Sequence, residues 1–566
     1  MKNVRRIYFY LVAFISLEVV VWGLIGLLRT IFSTGIAFQG ADTLSRALAL
    51  ILVGVPIFGL HWVWAQRSLS DEEEQVSLIR GVFLYATLLS TLIPVVQNVL
   101  ALVNRGLIQS SGISSYYSFV GGSQSTVDNL IAVVLNLLVA TYFYRVLTIP
   151  DYREKQDVSF TEIFRLYSYV WVLYSLFLTI FGIQEVVRFI FYQPGIVIGP
   201  AGKEYFLNGL AMLTIGTPVW LYSWNHRQNI DQNKSADASI IRLVFLFALS
   251  TIGITVVLAM SSLVAYNLLM PLLGESATVV EVLSHIGNPI SVGLPLCILW
   301  FYYGNWFTVE VANRYTQSNG RAVTRLRKYL LSFIGLTALI VSLILLVGFF
   351  VNLTLTSVLW GESLRSKVAG SIAAIISALP LWVLSWSPMQ SESRDDTEIG
   401  AEARGSVTRR VYLYIGIFSG VVGGMVYAII LVNTLLFGLL DHTDSTFVPN
   451  LIQNFGNLLV FLVILIYHLQ NLTKDHSYKK EEDATAAKAF KVVILEMKDD
   501  GVQKELVSLC EKNQYGVALL KPSQISKDDY SDVNVLIVDS HTYQDQKLVV
   551  KPVSYTHLTL PTILLV

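Results

Sequence analysis

One pattern recurs three times at a fixed interval. Pro56, Trp62 and Gln66 are followed by Pro218, Trp224 and Gln228, and then by Pro380, Trp386 and Gln390. The form is P-x5-W-x3-Q each time, and successive copies lie 162 residues apart. Each copy closes an apolar run of membrane-spanning length. A fixed internal period of this kind restricts the fold to a multi-helix unit used three times.

The runs between the copies have the same character. Stretches near 7–28, 46–66, 81–103, 128–147, 165–190, 207–225, 240–268, 286–306, 329–351, 368–387, 411–437 and 450–470 each approach the ~20 apolar residues a helix needs to cross the hydrocarbon core. Only 14% of the chain is charged, against about 25% in soluble domains. None of the runs alternates with the dyad period of barrel strands, so backbone satisfaction in lipid makes them helices. The expected fold is an all-α polytopic membrane protein. About twelve transmembrane helices form six hairpins, grouped as three parallel four-helix repeats, with a truncated α/β domain after them. The expected divisions are 1–147, 148–306 and 307–473 for the repeats, 474–490 for a charged linker, 491–551 for a partial cytoplasmic α/β domain and 552–566 for a non-native tail. The sixth hairpin fits the pattern poorly and its register stays open.

Lys and Arg concentrate at the N-terminus, in the loops that join hairpins and after the last span. The positive-inside rule then puts both termini in the cytoplasm of a cell with the chain in its inner membrane. The same rule puts the three motif ends at the cytoplasmic interface, with Trp62, Trp64, Trp224, Trp306 and Trp386 expected in an aromatic belt and each Gln ending its helix in water. The loops Asn104 to Asp128, rich in Ser and Gly, and Ser391 to Arg410, rich in charge, are too short or too polar for a core. Cys297 and Cys510 fall in a span and in the tail, which argues against a disulfide. The balanced net charge gives no reason to expect nucleic acid as a partner.

After residue 490 the periodicity changes. Lys491 to Glu496, Tyr515 to Leu520 and Val533 to Val538 read as buried strands, and Gly501 to Asn513 as an amphipathic helix. This order begins a parallel α/β domain.

Three sets of residues are candidates for function. Glu18 stands in the middle of the first span. A carboxylate at that depth costs about 2.5–3.5 kcal/mol on insertion scales, so it should face other helices. It reads either as a proton or cation site or as a hydrogen-bonded group that helps helices associate. The matching places in other hairpins hold Phe177 and Val422. Gln97 and Asn98 lie late in the third span with Pro94, where they line a polar path or bond to a neighbouring helix. The motif residues read first as structural anchors and second as a ring around a ligand site. His61, beside Trp62, has no second ligand at metal spacing, and Glu185 with Arg188 reads as an interfacial pair. No metal site, no cofactor and no enzymatic motif of the nucleotide, zinc or nucleophile-elbow kinds is expected.

Three resemblances follow from these residues. The helix starts Arg6-Ile7-Tyr8, Arg165-Leu166-Tyr167 and Arg410-Val411-Tyr412, taken with the P-x5-W-x3-Q ends, resemble a bacterial multi-span family of unknown function built from four-helix units. That resemblance implies fold and membrane location and carries no activity. Glu496, Asp499 and Asp539, after the first and third strands of the tail, are similar to the acids of a receiver-type signalling domain, in which they would bind magnesium and accept a phosphoryl group. Met497 and Lys498 interrupt the acids that such a domain places side by side. Residues 552–562 resemble translated sequencing-adapter sequence from a metagenomic assembly. Two functions fit. One is a membrane sensor or scaffold coupled to a cytoplasmic α/β module, with the bilayer and a cytoplasmic signalling protein or small ligand as partners. The other is a transporter or channel with an ion site at Glu18, although the inverted repeat of many transporters is not visible.

Overall fold

The computed structural model describes residues 2–32, 40–70, 72–75, 77–112, 124–149, 158–191, 201–233, 240–356, 359–440, 445–495, 500–513, 515–520 and 534–537. Twelve long helices follow one another: α1 Lys2–Phe32, α2 Gly40–Arg67, α3 Leu78–Ser110, α4 Thr126–Leu147, α5 Val158–Ile190, α6 Ala201–Asn233, α7 Ile240–Leu272, α8 Val279–Arg314, α9 Gln317–Leu355, α10 Glu362–Ser393, α11 Val407–Leu440 and α12 Phe447–Ala489. Eleven of them are long and apolar enough to cross a membrane. The exception is α6, where Lys203, Glu204, Asn208, Thr214, Thr217 and Ser223 lower the mean hydropathy below that of its neighbours. Large apolar side chains such as Leu52, Phe301, Leu384 and Phe418 remain uncovered on the outside. A water-facing protein would not tolerate that much contiguous apolar surface, whereas lipid does.

The chain divides into two compact units, Met1–Trp386 with Asp441–Gln453, and Ser387–Leu440 with Asn454–Val566. In the first unit the helices pack as sequential hairpins, α1 on α2, α3 on α4, α5 on α6 and α7 on α8. The first helix of each four also packs on both members of the next hairpin, α1 on α3 and α4, α5 on α7 and α8. Repeats one and two thus share an arrangement as well as a sequence. Small residues set the approach inside the hairpins. A Cβ on Gly54 would come within 2.9 Å of Val20, and one on Gly216, the same place one repeat later, within 2.7 Å of Leu178. Aromatic clusters fill each four-helix unit, around Tyr10, Trp62, Phe83 and Phe143 in the first and Tyr169, Trp224, Phe245 and Tyr303 in the second. Leu100 with Ala211 and Met212 joins α3 to α6, beside a buried hydrogen bond from Asn104 to Asn208 of 2.8 Å.

In the second unit α11 packs on α12 through glycines, with Gly416 against His468, Gly420 against Leu465 and Gly423 against Phe461. These contacts supply the register that the sequence of the sixth hairpin does not. The segment 391–410 differs from the coreless loop expected. It folds into a short helix, Glu398–Gly405, held by Arg404. That buried guanidinium donates to the Ser393 and Asp395 carbonyls at 2.8 Å each and pairs with Glu482. The charged stretch 474–490 is helical as far as Ala489, so α12 runs unbroken to within two residues of the first strand.

The tail comprises β1 Lys491–Leu495, α13 Asp500–Lys512, β2 Gly516–Leu520 and β3 Val535–Ile537. The strands are parallel in the order β2-β1-β3, with Val492 opposite both Val517 and Val535. Val492, Val493 and Ile494 are buried, as a central parallel strand requires. Glu496, Asp499, Asp539 and the segment 552–566 lie outside the described residues.

Candidate functional site

Three helices of the first repeat each turn one polar stripe to a common space. On α1 the stripe is Glu18, Trp22, Ile25 and Arg29, at i, i+4, i+7 and i+11, which is one helix face. On α3 it is Ser90, Pro94, Gln97, Asn98 and Ala101, and on α4 it is Asn129, Ala132 and Asn136. Together with Val21 and Gln124 they line a cavity of about 280 Å³. Glu18, Gln97 and Asn98 therefore converge, although nothing in the local sequence links the first span to the third.

Glu18 is half-buried, and its Oε1 accepts a hydrogen bond of 2.6 Å from the Ser90 hydroxyl. The asparagines are oriented by their own helices. Asn98 Nδ2 donates to the Pro94 carbonyl one turn back on its own helix, at 2.8 Å. Asn136 Nδ2 donates to the Ala132 carbonyl at 2.8 Å. Asn98 Oδ1 in turn accepts from Asn129 Nδ2 at 2.8 Å, which ties α3 to α4.

Arg29 of α1 lines the far end of the cavity, and both it and Arg105 of α3 reach the start of α4. Arg29 donates to the Asp128 carbonyl at 3.3 and 3.2 Å and to Gln124 Oε1 at 3.4 Å. Arg105 reaches Asn129 Oδ1 at 3.1 Å and Thr126 Oγ1 at 3.2 Å. Ser125 and Asp128 form a capping box on the same helix start, so the donors of that turn are satisfied locally. Ser90 and Asn129 were not singled out from the sequence, and Asn136 only as the second hairpin's counterpart of the repeated motif. Their only signal is spacing, since Ser90 precedes Gln97 by seven residues and Asn129 precedes Asn136 by seven.

The P-x5-W-x3-Q ends occupy different surroundings from those expected. Of the five tryptophans expected in a belt, Trp62, Trp224 and Trp386 are buried within the protein, Trp224 to 1% exposure, whereas Trp306 is half-buried and Trp64 exposed. Each helix runs through its proline, Pro56 in α2, Pro218 in α6 and Pro380 in α10. Trp62 Nε1 donates to Tyr142 at 2.8 Å, and Trp224 Nε1 to Tyr302 at 2.7 Å, the same contact in two repeats. Replacing Trp62 with phenylalanine should keep the packing on Phe83 and Phe143 and lose that bond. A loss of about 0.5–1.5 kcal/mol in a detergent unfolding titration is expected, and no loss would remove the bond from the account.

The motif glutamines are not in water either. Gln228 and Gln390 are buried, while Gln66 is half-buried. Gln228 Oε1 accepts from Arg242 Nη2 at 2.9 Å, and Arg242 Nε pairs with Glu310 at 2.7 Å. Gln390 Oε1 accepts from Arg409 Nη2 at 3.2 Å, and Arg409 grips Asp475 in a fork at 2.6 and 3.0 Å. An arginine on the next helix, a carboxylate on the fourth and the motif glutamine thus form one clamp, seen in two repeats. In the first repeat Arg80 is buried at the corresponding place.

His61 is buried and its ring accounts for both nitrogens, with Nδ1 2.8 Å from the Ile57 carbonyl and Nε2 3.4 Å from the Tyr8 hydroxyl. Glu185 and Arg188 pair at 3.4 Å, and Arg188 also donates to Asn288 at 3.1 Å.

Comparison with known proteins adds the family. No curated protein and no solved structure matches the chain. A family described as a domain of unknown function (DUF5671) matches three times, over residues 6–139, 165–298 and 325–467. Those segments contain the stripes of the cavity and most of the motif clamps. Because they cover most of the sequence, the protein belongs to the DUF5671 domain family, as a chain of three consecutive copies.

Proposed function

We propose that the chain is a sensor in the cell membrane, with both termini cytoplasmic and no catalytic role. The first repeat binds a small solute in the Glu18 cavity, and the α/β tail reports its state to a cytoplasmic signalling protein. The observation that carries this reading is α12. It is one helix of 43 residues, with a single residue between its end at Ala489 and the start of β1. At about 1.5 Å per residue it is roughly twice as long as the ~30 Å hydrocarbon core needs. A helix that leaves the membrane intact and enters a sheet passes on rotation or tilt, which a flexible linker would dissipate.

The transport reading rests on the cavity alone. Against it, the family matches put Phe177 and Thr337 at the place of Glu18, so the acid is not repeated. A path assembled from three equivalent units would need it in each.

Hydrogen exchange on the full chain in lipid nanodiscs tests the coupling. Glu18→Gln should change amide exchange across residues 491–520 by about fivefold, the lower range of common coupling strengths. A Gly-Ser insertion after Lys480 should abolish that response. If the tail ignores Glu18→Gln while proteoliposomes take up solute, the protein is a transporter and this reading is wrong.

A further inference from the structure

The cavity has a definite charge character. Among its lining residues only Glu18 and Arg29 are charged. Arg29 sits 11 residues further along α1, about 16 Å at 1.5 Å per residue, and its guanidinium is turned to the Asp128 carbonyl and Gln124. Asp128 itself lies near enough to balance it electrostatically. Glu18 has no such balance. Among the described residues its hydrogen-bond partners are neutral, the Ser90 hydroxyl and the Trp22 indole N–H, and no basic side chain pairs with it.

The neutral groups point the same way. Asn136 directs a donor to the Ala132 carbonyl of its own helix, which leaves its carbonyl oxygen for the cavity, while the Asn98 carbonyl oxygen is taken by Asn129 Nδ2. The Ser90 hydroxyl oxygen, whose proton is directed to Glu18 and the Thr87 carbonyl, can also accept. The wall beside the carboxylate therefore offers acceptors at Asn136 and Ser90. Trp22 turns its indole N–H to Glu18, and at 63% exposure the face of its ring, which attracts cations, stays uncovered beside the carboxylate. Val21, Ile25, Ala101 and Ala132 supply apolar wall. The volume of about 280 Å³ is many times the ~10–15 Å³ one water needs. A bare metal ion would lack a cage there, and the described residues hold no cluster of three His, Cys, Asp or Glu.

We propose that the cavity takes a small organic cation, a singly charged alkylammonium, with its head between the Glu18 carboxylate and the Trp22 indole and its alkyl groups against Val21, Ile25 and Ala132. This inference rests on the reading of the cavity as a solute site and adds the chemical class of the solute.

Equilibrium dialysis of the full chain in nanodiscs against radiolabelled tetramethylammonium tests it. Saturable binding is expected, displaced by ethylammonium chloride and not by tert-butanol or sodium acetate. Glu18→Gln should weaken it about 30-fold or more, as removal of one partner of a buried charge pair does. Trp22→Leu should weaken it about threefold to tenfold, and Glu18→Asp should retain part of it. Affinity should rise with pH, because only the ionised carboxylate pairs with the ammonium; the other ionisable group that lines the cavity, Arg29, is a guanidinium and stays a cation through the range tested. Equal displacement by tert-butanol would overturn the charge assignment, as would unchanged binding in Glu18→Gln or no binding by the wild type. The exchange response at 491–520 is scored separately. If it persists while cation selectivity fails, only this inference falls; if it is absent while selectivity holds, only the sensor reading falls.

Discussion

Replacing Glu310 with leucine is expected to destabilise the second repeat by about 3–5 kcal/mol, the usual cost of breaking a buried ion pair from one side. Arg242 is 2% exposed and Glu310 4%, so the guanidinium left behind has no route to water. The Gln228 carbonyl oxygen would still accept one hydrogen bond, but it carries no charge to offset the cation. Arg314, on the same helix as Glu310 and partly exposed, can turn to solvent and needs no replacement partner. The double variant Arg242→Met with Glu310→Leu should recover most of the loss, because two apolar side chains of similar volume avoid desolvating either charge. Gln228→Leu alone should cost about 1.5–3 kcal/mol, in line with a hydrogen bond to a charged group. Unfolding titrations of purified variants in mixed detergent would read all three. A Glu310→Leu protein as stable as the wild type would show that the clamp does not hold the repeat together. The cost at Asp475 should be smaller, since its side chain is 13% exposed and keeps some hydration.

These clamps show where the sequence is legible and where it is not. The period of Pro56, Pro218 and Pro380 is visible by inspection because a repeat is a local property copied along the chain. The task of Gln228 is not visible. Its partner Arg242 is 14 residues away, and Glu310, which completes the set, lies 68 residues beyond Arg242. A tryptophan near a helix end serves equally as an interfacial anchor or as core, and the choice depends on which helix covers it. For Trp224 the covering side chains are Phe245 and Tyr303, on helices not adjacent to its own in sequence order except one. Glu18 was legible because a charge inside an apolar run is costly wherever it lies. Ser90 and Asn129 were not, because serine and asparagine are cheap enough in spans to mean little until three helices fix a common register. The tail strands were placed from continuous apolar runs bounded by charge, but of the three expected to be buried only β1 is, with Leu519 of β2 51% and Val535 of β3 39% exposed. Arg404 was missed because nothing in a charged loop marks which arginine folds back on its own carbonyls.

The sixth hairpin resisted reading for a related reason. Its register is set by absent side chains rather than present ones, and glycine gives no periodic apolar signal. The structure makes the consequence measurable at Gly420. A Cβ there would lie 2.8 Å from Leu465 Cβ and 2.9 Å from both its Cα and its N. Two of those three atoms are backbone, so no rotamer change relieves the contact and α12 must move bodily away from α11. Gly420→Ala should therefore cost about 1–3 kcal/mol as overpacking, despite the roughly 1 kcal/mol that alanine gains over glycine in helix propensity. Leu465→Gly should restore only part of the loss, because it removes the Cβ contact and leaves the other two. Gly370 in α10 is the control, since a Cβ there meets nothing within 4 Å. Gly370→Ala should be neutral or slightly stabilising in the same thermal unfolding assay. If Gly420→Ala and Gly370→Ala behave alike, close approach at Gly420 does not set the packing of these two helices, and larger neighbours such as Phe461 and His468 must fix it instead.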